Sequence, residues 1–103
     1  MATEKSFLQY ILDQLSGLEE FTYRRMMGEY ILYYRGKLAA YLCDDRLLVR
    51  ILPVSSSMLP DAPKQAPYEG AKEMLLVENV DDRAFLEALF RAMYSELPEY
   101  KRK

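Results

Sequence analysis

Between Phe21 and Ile51 the chain alternates apolar runs with short polar interruptions at strand spacing, and this pattern predicts a β-meander. The stretch reads FTYRRMMGEYILYYRGKLAAYLCDDRLLVRI. Arg35-Gly36 divides Tyr30–Tyr34 from Lys37–Cys43, and Gly supplies the positive φ of a two-residue hairpin turn. Asp44-Asp45 divides Cys43 from Arg46, a weaker turn signal that relies on the tolerance of Asp for left-handed backbone. Two-residue turns set Tyr34 opposite Lys37, Tyr33 opposite Leu38 and Ile31 opposite Ala40, then Leu42 opposite Leu47, Ala40 opposite Val49 and Leu38 opposite Ile51. One face then carries Ile31, Tyr33, Leu38, Ala40, Leu42, Leu47, Val49 and Ile51, which predicts core. The other carries Tyr30, Leu32, Tyr34, Lys37, Ala39, Tyr41, Cys43, Arg46, Leu48 and Arg50, a mixed surface of tyrosine, leucine and cations.

The flanks carry helical periodicity. Phe7, Leu8, Ile11, Leu12 and Leu15 predict a helix from about Thr3 to Gly17, capped by Thr3 or Ser6 and ended by a left-handed Gly17. Phe21–Met27 predicts a first strand, with Gly28 marking a bulge or sharp bend. After Ile51, Pro53, Pro60, Pro63 and Pro67 predict an irregular excursion with one short helical turn near Ser57–Leu59. Such a length of chain serves as a lid, a partner loop or, the favoured reading, a structural cover laid over one sheet edge. Glu73–Glu78 predicts a strand, and Phe85, Leu86, Leu89, Phe90 and Met93 a last helix capped by Asp81 or Asp82 and ended by Leu97-Pro98. The tail Glu99–Lys103 is expected to fray. Segregated strands and helices predict an α+β fold, an antiparallel sheet (the meander plus one further strand) with N- and C-terminal helices packed on it.

Composition narrows the function classes. At 103 residues and 12.1 kDa the chain suits one domain, residues 1–103, burying roughly 65% of its extended surface. The net charge of −2 and pI near 5.2 argue against a polyanion as principal partner. The absence of His removes Ser-His-Asp and Cys-His nucleophiles and every imidazole ligand. Cys43 is the sole cysteine, so neither an internal disulfide nor a zinc site is expected, and the cytoplasm is the expected compartment. No apolar run reaches the ~18 residues of a membrane span.

The remaining chemical candidates are structural on their spacing. Glu19-Glu20, Asp44-Asp45 and Asp81-Asp82 fall in a linker, a turn and a helix cap rather than converging on a cleft. Gly17, Gly28, Gly36 and Gly70 are scattered and form no phosphate loop. Arg46 beside Cys43 favours a thiolate, yet an isolated strand cysteine is more often a small hydrophobe. Arg24 and Arg25 point to opposite faces of a strand and form no joint patch; pairing of one with Glu29 is expected. No catalytic residue, cofactor site, metal site or small-molecule substrate is predicted.

The run Thr22-Tyr23-Arg24-Arg25-Met26-Met27-Gly28, followed by Tyr30, Leu32-Tyr33, Gly36, Ala40, Asp44-Asp45 and Leu47, resembles the N-terminal domain of the TfoX/Sxy competence regulators. That family opens with a helix and then shows a pattern close to R-R-M-F-G-G-Y, with L-Y and a turn glycine after it. Pro67-Tyr68 and the closing helix fall in similar places, so the resemblance covers nearly the whole chain, with its specific part at Arg24–Gly36. Met27 stands where the family usually has Phe, and Glu29 where it often has a second Gly. The resemblance implies the α+β fold and supplies no catalytic residues. Competence regulators of the family carry a second, C-terminal domain, and this sequence stops at Lys103, which implies a stand-alone member without a transferable transcriptional role.

Two functions fit the mixed face. A protein-contact or self-association surface would use Tyr30, Tyr34, Tyr41, Arg46, Leu48 and Arg50, with Leu32 between them. A nucleic-acid binder would stack unpaired bases on the same tyrosines and arginines. The acidic net charge favours protein.

Overall fold

The computed structural model describes residues 3–98. In chain order it runs α1 (Lys5–Gln14), β1 (Phe21–Met26), β2 (Glu29–Tyr34), β3 (Lys37–Cys43), β4 (Arg46–Val49), α2 (Pro53–Met58), β5 (Lys64–Gln65), β6 (Met74–Val77) and α3 (Arg83–Tyr94). The strands form one antiparallel sheet in the order β1-β2-β3-β4-β6-β5. The α+β architecture is the one the pattern predicts. The tail beyond Pro98 lies outside the described residues.

Three two-residue turns build the meander. Met27-Gly28 (φ 53° and 84°), Arg35-Gly36 (φ 52° and 85°) and Asp44-Asp45 (φ 53° and 57°) hold both central residues left-handed, the twist that lets antiparallel strands close without splaying. Of the bulge or sharp bend expected at Gly28 the structure has the bend, closed tightly into a hairpin turn, so the predicted first strand is half of a β1–β2 hairpin. Glu29 pairs with neither Arg24 nor Arg25. Its carboxylate accepts from the Thr3 hydroxyl at 2.7 Å and the Asp44 N–H at 3.1 Å, clamping the chain ahead of α1 to the β3–β4 turn. Thr3 is therefore engaged there and does not cap α1, whose N-cap is Glu4 without a side-chain bond. Gly17 is not left-handed either; a Cβ there would collide with the Glu87 carboxylate, while its carbonyl accepts from Arg91.

The predicted register holds in one hairpin and fails in the other. Leu42 faces Leu47 and Ala40 faces Val49, and Leu42, Leu47 and Val49 are all completely buried. In the β2–β3 hairpin Tyr34 faces Lys37 and Tyr33 faces Leu38, but the ladder then shifts so that Leu32 meets Ala40, Ile31 meets Tyr41 and Tyr30 meets Leu42. Ala39 is the extra residue, and its carbonyl accepts the Arg50 N–H at 3.2 Å. The shift reverses the parity of β2: Tyr30, Leu32 and Tyr34 join the core under the helices, while Ile31 and Tyr33 turn to the other face. EYILYY is apolar on both faces, so periodicity along β2 cannot choose between the two registers. Ile51, expected in the core opposite Leu38, lies beyond the end of β4 and is 41% exposed.

The inner face packs Leu8, Ile11 and Leu15 of α1 and Leu86, Leu89, Phe90 and Met93 of α3 against the sheet. At one end Phe21, Tyr34, Phe90 and Tyr94 form an aromatic cluster, with Lys37 and Arg35 over the Tyr94 ring. Asp82 caps α3 as predicted, accepting from Phe85 N–H at 3.0 Å. The proline-rich excursion divides in two. Its first part, α2, packs beside α3, with Ser55 buried. Its second part leads into the long β5–β6 loop, which lies over the outer face at Tyr41.

Candidate functional site

The outer face is only partly covered, and the cover has an opening. Leu48 is completely buried there, beside Cys43, Met74, Tyr41 and Leu76. Next to this cluster lies a cleft of about 500 Å³ lined by Tyr41 of β3, Arg50 and Ile51 after β4, and Pro67, Tyr68, Ala71, Lys72, Glu73 and Met74 of the β5–β6 loop and β6.

Each wall has a local cause. Ser55 donates to the Arg50 carbonyl at 2.7 Å and accepts the Leu52 N–H at 2.8 Å, which fixes the chain where it leaves the sheet. Pro67 is buried and Tyr68 exposed, and the Tyr68 ring tilts toward Tyr41 with centroids 6.3 Å apart. Burial, chiefly, raises the Tyr41 hydroxyl pKa, with Arg50 pulling the other way. Among the described residues Arg50 and Lys72 make no ion pair. Glu73 is the carboxylate in the lining, so the opening presents two cations and one anion alongside two aromatic rings.

Of the residues expected to meet a partner, the cleft keeps Tyr41 and Arg50. Tyr30 and Tyr34 are carried to the helix side by the Ala39 bulge, Leu32 goes with them, and Leu48 is core; none of these four is presented to a partner. Arg46 is half-buried and occupied, donating through Nε to the Cys43 carbonyl at 3.1 Å and through Nη1 to Gln65. Pro67, Tyr68 and Lys72 did not emerge as site residues from periodicity, because loop residues carry none. The length of the excursion is the one signal that could have led to them.

Cys43 is buried, and that burial, with Glu29 next, pushes its thiol up to about 11 against the opposing pull of Arg46. Alkylation by iodoacetamide at pH 8 is therefore expected to be about 100-fold slower in the folded chain than in urea, since a rise from 9.0 to about 11 cuts thiolate by that factor. The stability this thiol contributes is complete below about pH 9 and is lost as pH rises toward 11, so Cys43→Ala should flatten the alkaline limb of the stability profile. Equal alkylation rates in folded and unfolded chain would refute the burial.

The three carboxylate pairs stay apart from the cleft. Glu20 is left-handed in the connection to β1, Asp44-Asp45 form a turn, and Asp81 accepts from Tyr10 while Asp82 caps α3. Among the described residues no three His, Cys, Asp or Glu side chains converge as a metal site would require. No helix among them is long and apolar enough to cross a membrane.

The family model described as TfoX N-terminal domain matches residues 13–98, from the last turn of α1 to the end of the described chain. The chain belongs to the TfoX N-terminal domain family. Within this TfoX domain the Arg24–Gly36 motif is the β1–β2 hairpin with the turn after it: Gly28 and Gly36 hold left-handed turn positions, and Arg24, Arg25 and Met26 are exposed on the edge strand. The TfoX domain is also 30% identical over 102 residues to a protein of Spirochaeta aurantia described as an uncharacterized 12.7 kDa protein in the trpE 5′ region, covering 98% of this chain and 89% of that one. No solved structure matches it.

Proposed function

We propose that this TfoX domain is a non-catalytic regulatory module of the cytoplasm that acts by protein–protein contact, and that the outer-face cleft receives a short segment of the partner. The observation that carries the reading is Arg50, half-buried in the lining of a cleft it shares with Tyr41 and Tyr68 and without a carboxylate partner among the described residues. An arginine so placed gains most from an incoming carboxylate, and the two tyrosine rings of the same lining accept an apolar neighbour of that carboxylate. The fitting partner segment is acidic with an adjacent aliphatic or aromatic side chain. Membership in a family of regulators supports the same reading. The net charge of −2 weighs against nucleic acid as the ligand.

A photocrosslinking residue in place of Tyr68, used in cells of the native host, tests this. The expected result is a protein adduct that Arg50→Glu reduces by at least tenfold, while thermal unfolding stays within a few degrees of the parent. Adducts to nucleic acid, or a protein adduct indifferent to Arg50→Glu, would overturn it.

A further inference from the structure

The two edges of the sheet are built differently. At one edge β5 has two residues, Lys64 and Gln65, set between Pro63 and Pro67, a short and proline-flanked edge of the kind that resists pairing. At the other edge β1 has six residues, and all but Phe21 are exposed. Tyr23 is 44% exposed and Met27, at the tip of its hairpin, 94%. No proline or bulge interrupts β1.

The phase of its free hydrogen-bonding groups follows from the ladder. The Arg35 N–H donates to the Glu20 carbonyl at 2.9 Å, so Glu20 and Arg35 form a bonded pair. Bonded pairs alternate along an antiparallel ladder, which makes Thr22, Arg24 and Met26 the residues bonded to β2. The N–H and C=O of Phe21, Tyr23 and Arg25 therefore point away from the sheet, unpaired by β2.

From this edge we infer that the chain self-associates, a second copy adding its own β1 antiparallel to the first about a two-fold axis through Tyr23. In that register each outward residue meets an outward residue: Tyr23 faces the partner's Tyr23, and Phe21 faces the partner's Arg25. Thr22 faces the partner's Arg24. No arginine faces an arginine, whereas moving the axis one position toward the turn sets Arg24 against Arg24 and is opposed by like charge, and moving it one position the other way leaves only residues 21–23 of the two strands opposed, because Glu20 is left-handed and ends the strand. Glu19 and Glu20, just before the strand, lie at the end that receives the partner's Arg24 and Arg25. These four side chains make no ion pair within the chain among the described residues, so the register supplies opposite charges at both ends. The two Tyr23 rings meet on the helix side, each already edge-on to its own Tyr30 at 5.8 Å. One strand pair buries less than a standard interface of roughly 1,600 Å², so the association is expected in the micromolar to millimolar range.

Sedimentation from about 1 µM to 1 mM reads this directly. The expected result is a monomer–dimer equilibrium that Tyr23→Pro shifts at least tenfold toward monomer, because proline there removes an outward N–H and leaves the bonds to β2 in place. Should Tyr23→Pro disturb the near-UV circular dichroism, cysteine pairing decides instead, with Cys43 replaced by Ala. A mixture of Thr22→Cys and Arg24→Cys chains is expected to form disulfide-linked dimers, and neither chain alone, since position 22 faces position 24 of the partner in a non-bonded pair with Cα atoms ~4.5 Å apart. A monomer throughout the range, a dimer that a folded Tyr23→Pro variant retains, or no linked product in the mixture would overturn the inference. The Arg50 cleft plays no part in these outcomes.

Discussion

Replacing Val49 by Asp is expected to leave the chain unfolded at room temperature. Val49 is completely buried on β4, between Ala40 of β3 and Leu75 of β6 and under the helices. The surrounding core is apolar, so an ionised carboxylate there has no partner. The cost of such a substitution is about 4–5 kcal/mol or more, against a total stability of about 5–15 kcal/mol for a domain of this size. Far-UV circular dichroism and a thermal scan would show it as loss of the cooperative transition. Partial recovery near pH 4, where the carboxyl takes up a proton, would identify charge rather than shape as the cause. A cooperative melt within a few degrees of the parent would place Val49 outside the core.

Leu48→Lys and Tyr41→Lys, adjacent across β3 and β4, are expected to part company. Leu48 is completely buried on the outer face among Cys43, Met74, Tyr41 and Leu76, and an ammonium there costs about 3 kcal/mol or more. At 4–8 °C per kcal/mol for a chain of this length, the melting temperature should fall by about 12 °C or more. Tyr41 is half-buried at the mouth of the cleft, and its replacement removes little beyond the ring contact with Tyr68, worth about 1 kcal/mol. The folded Tyr41→Lys chain should instead lose its partner adduct. Equal losses of stability would mean that the cleft is a continuation of the core and not an opening in it.

That contrast also separates two kinds of outer-face residue that look alike in the sequence. Leucine and tyrosine alternate with arginine there, and nothing local distinguishes a leucine that becomes fully buried from a tyrosine left at a cleft. The other wall of that cleft comes from far along the chain, at residues 67–74, and reaches Tyr41 only because β6 returns beside β4.

Helix periodicity, the turn residues and the segregation of helices from strands were sufficient for the α+β fold, and the absence of His for excluding the commonest nucleophilic sites. They worked because each is a short-range property: a period of 3.6, a positive φ, the presence of a side-chain type. The β3–β4 register was legible for the same reason, since Leu42, Leu47 and Val49 alternate with Cys43, Arg46 and Leu48 and only one set is free of charge. What only the tertiary structure decided was the parity of β2 and the cover of the outer face. One extra residue at Ala39 moves Tyr30, Leu32 and Tyr34 under the helices, and β2 itself, apolar on both sides, does not resist either choice. The helices break the tie, because Tyr34 completes the aromatic cluster with Phe21 and Tyr94, and burial depends on which surfaces meet across the whole chain and not on the pattern of one strand.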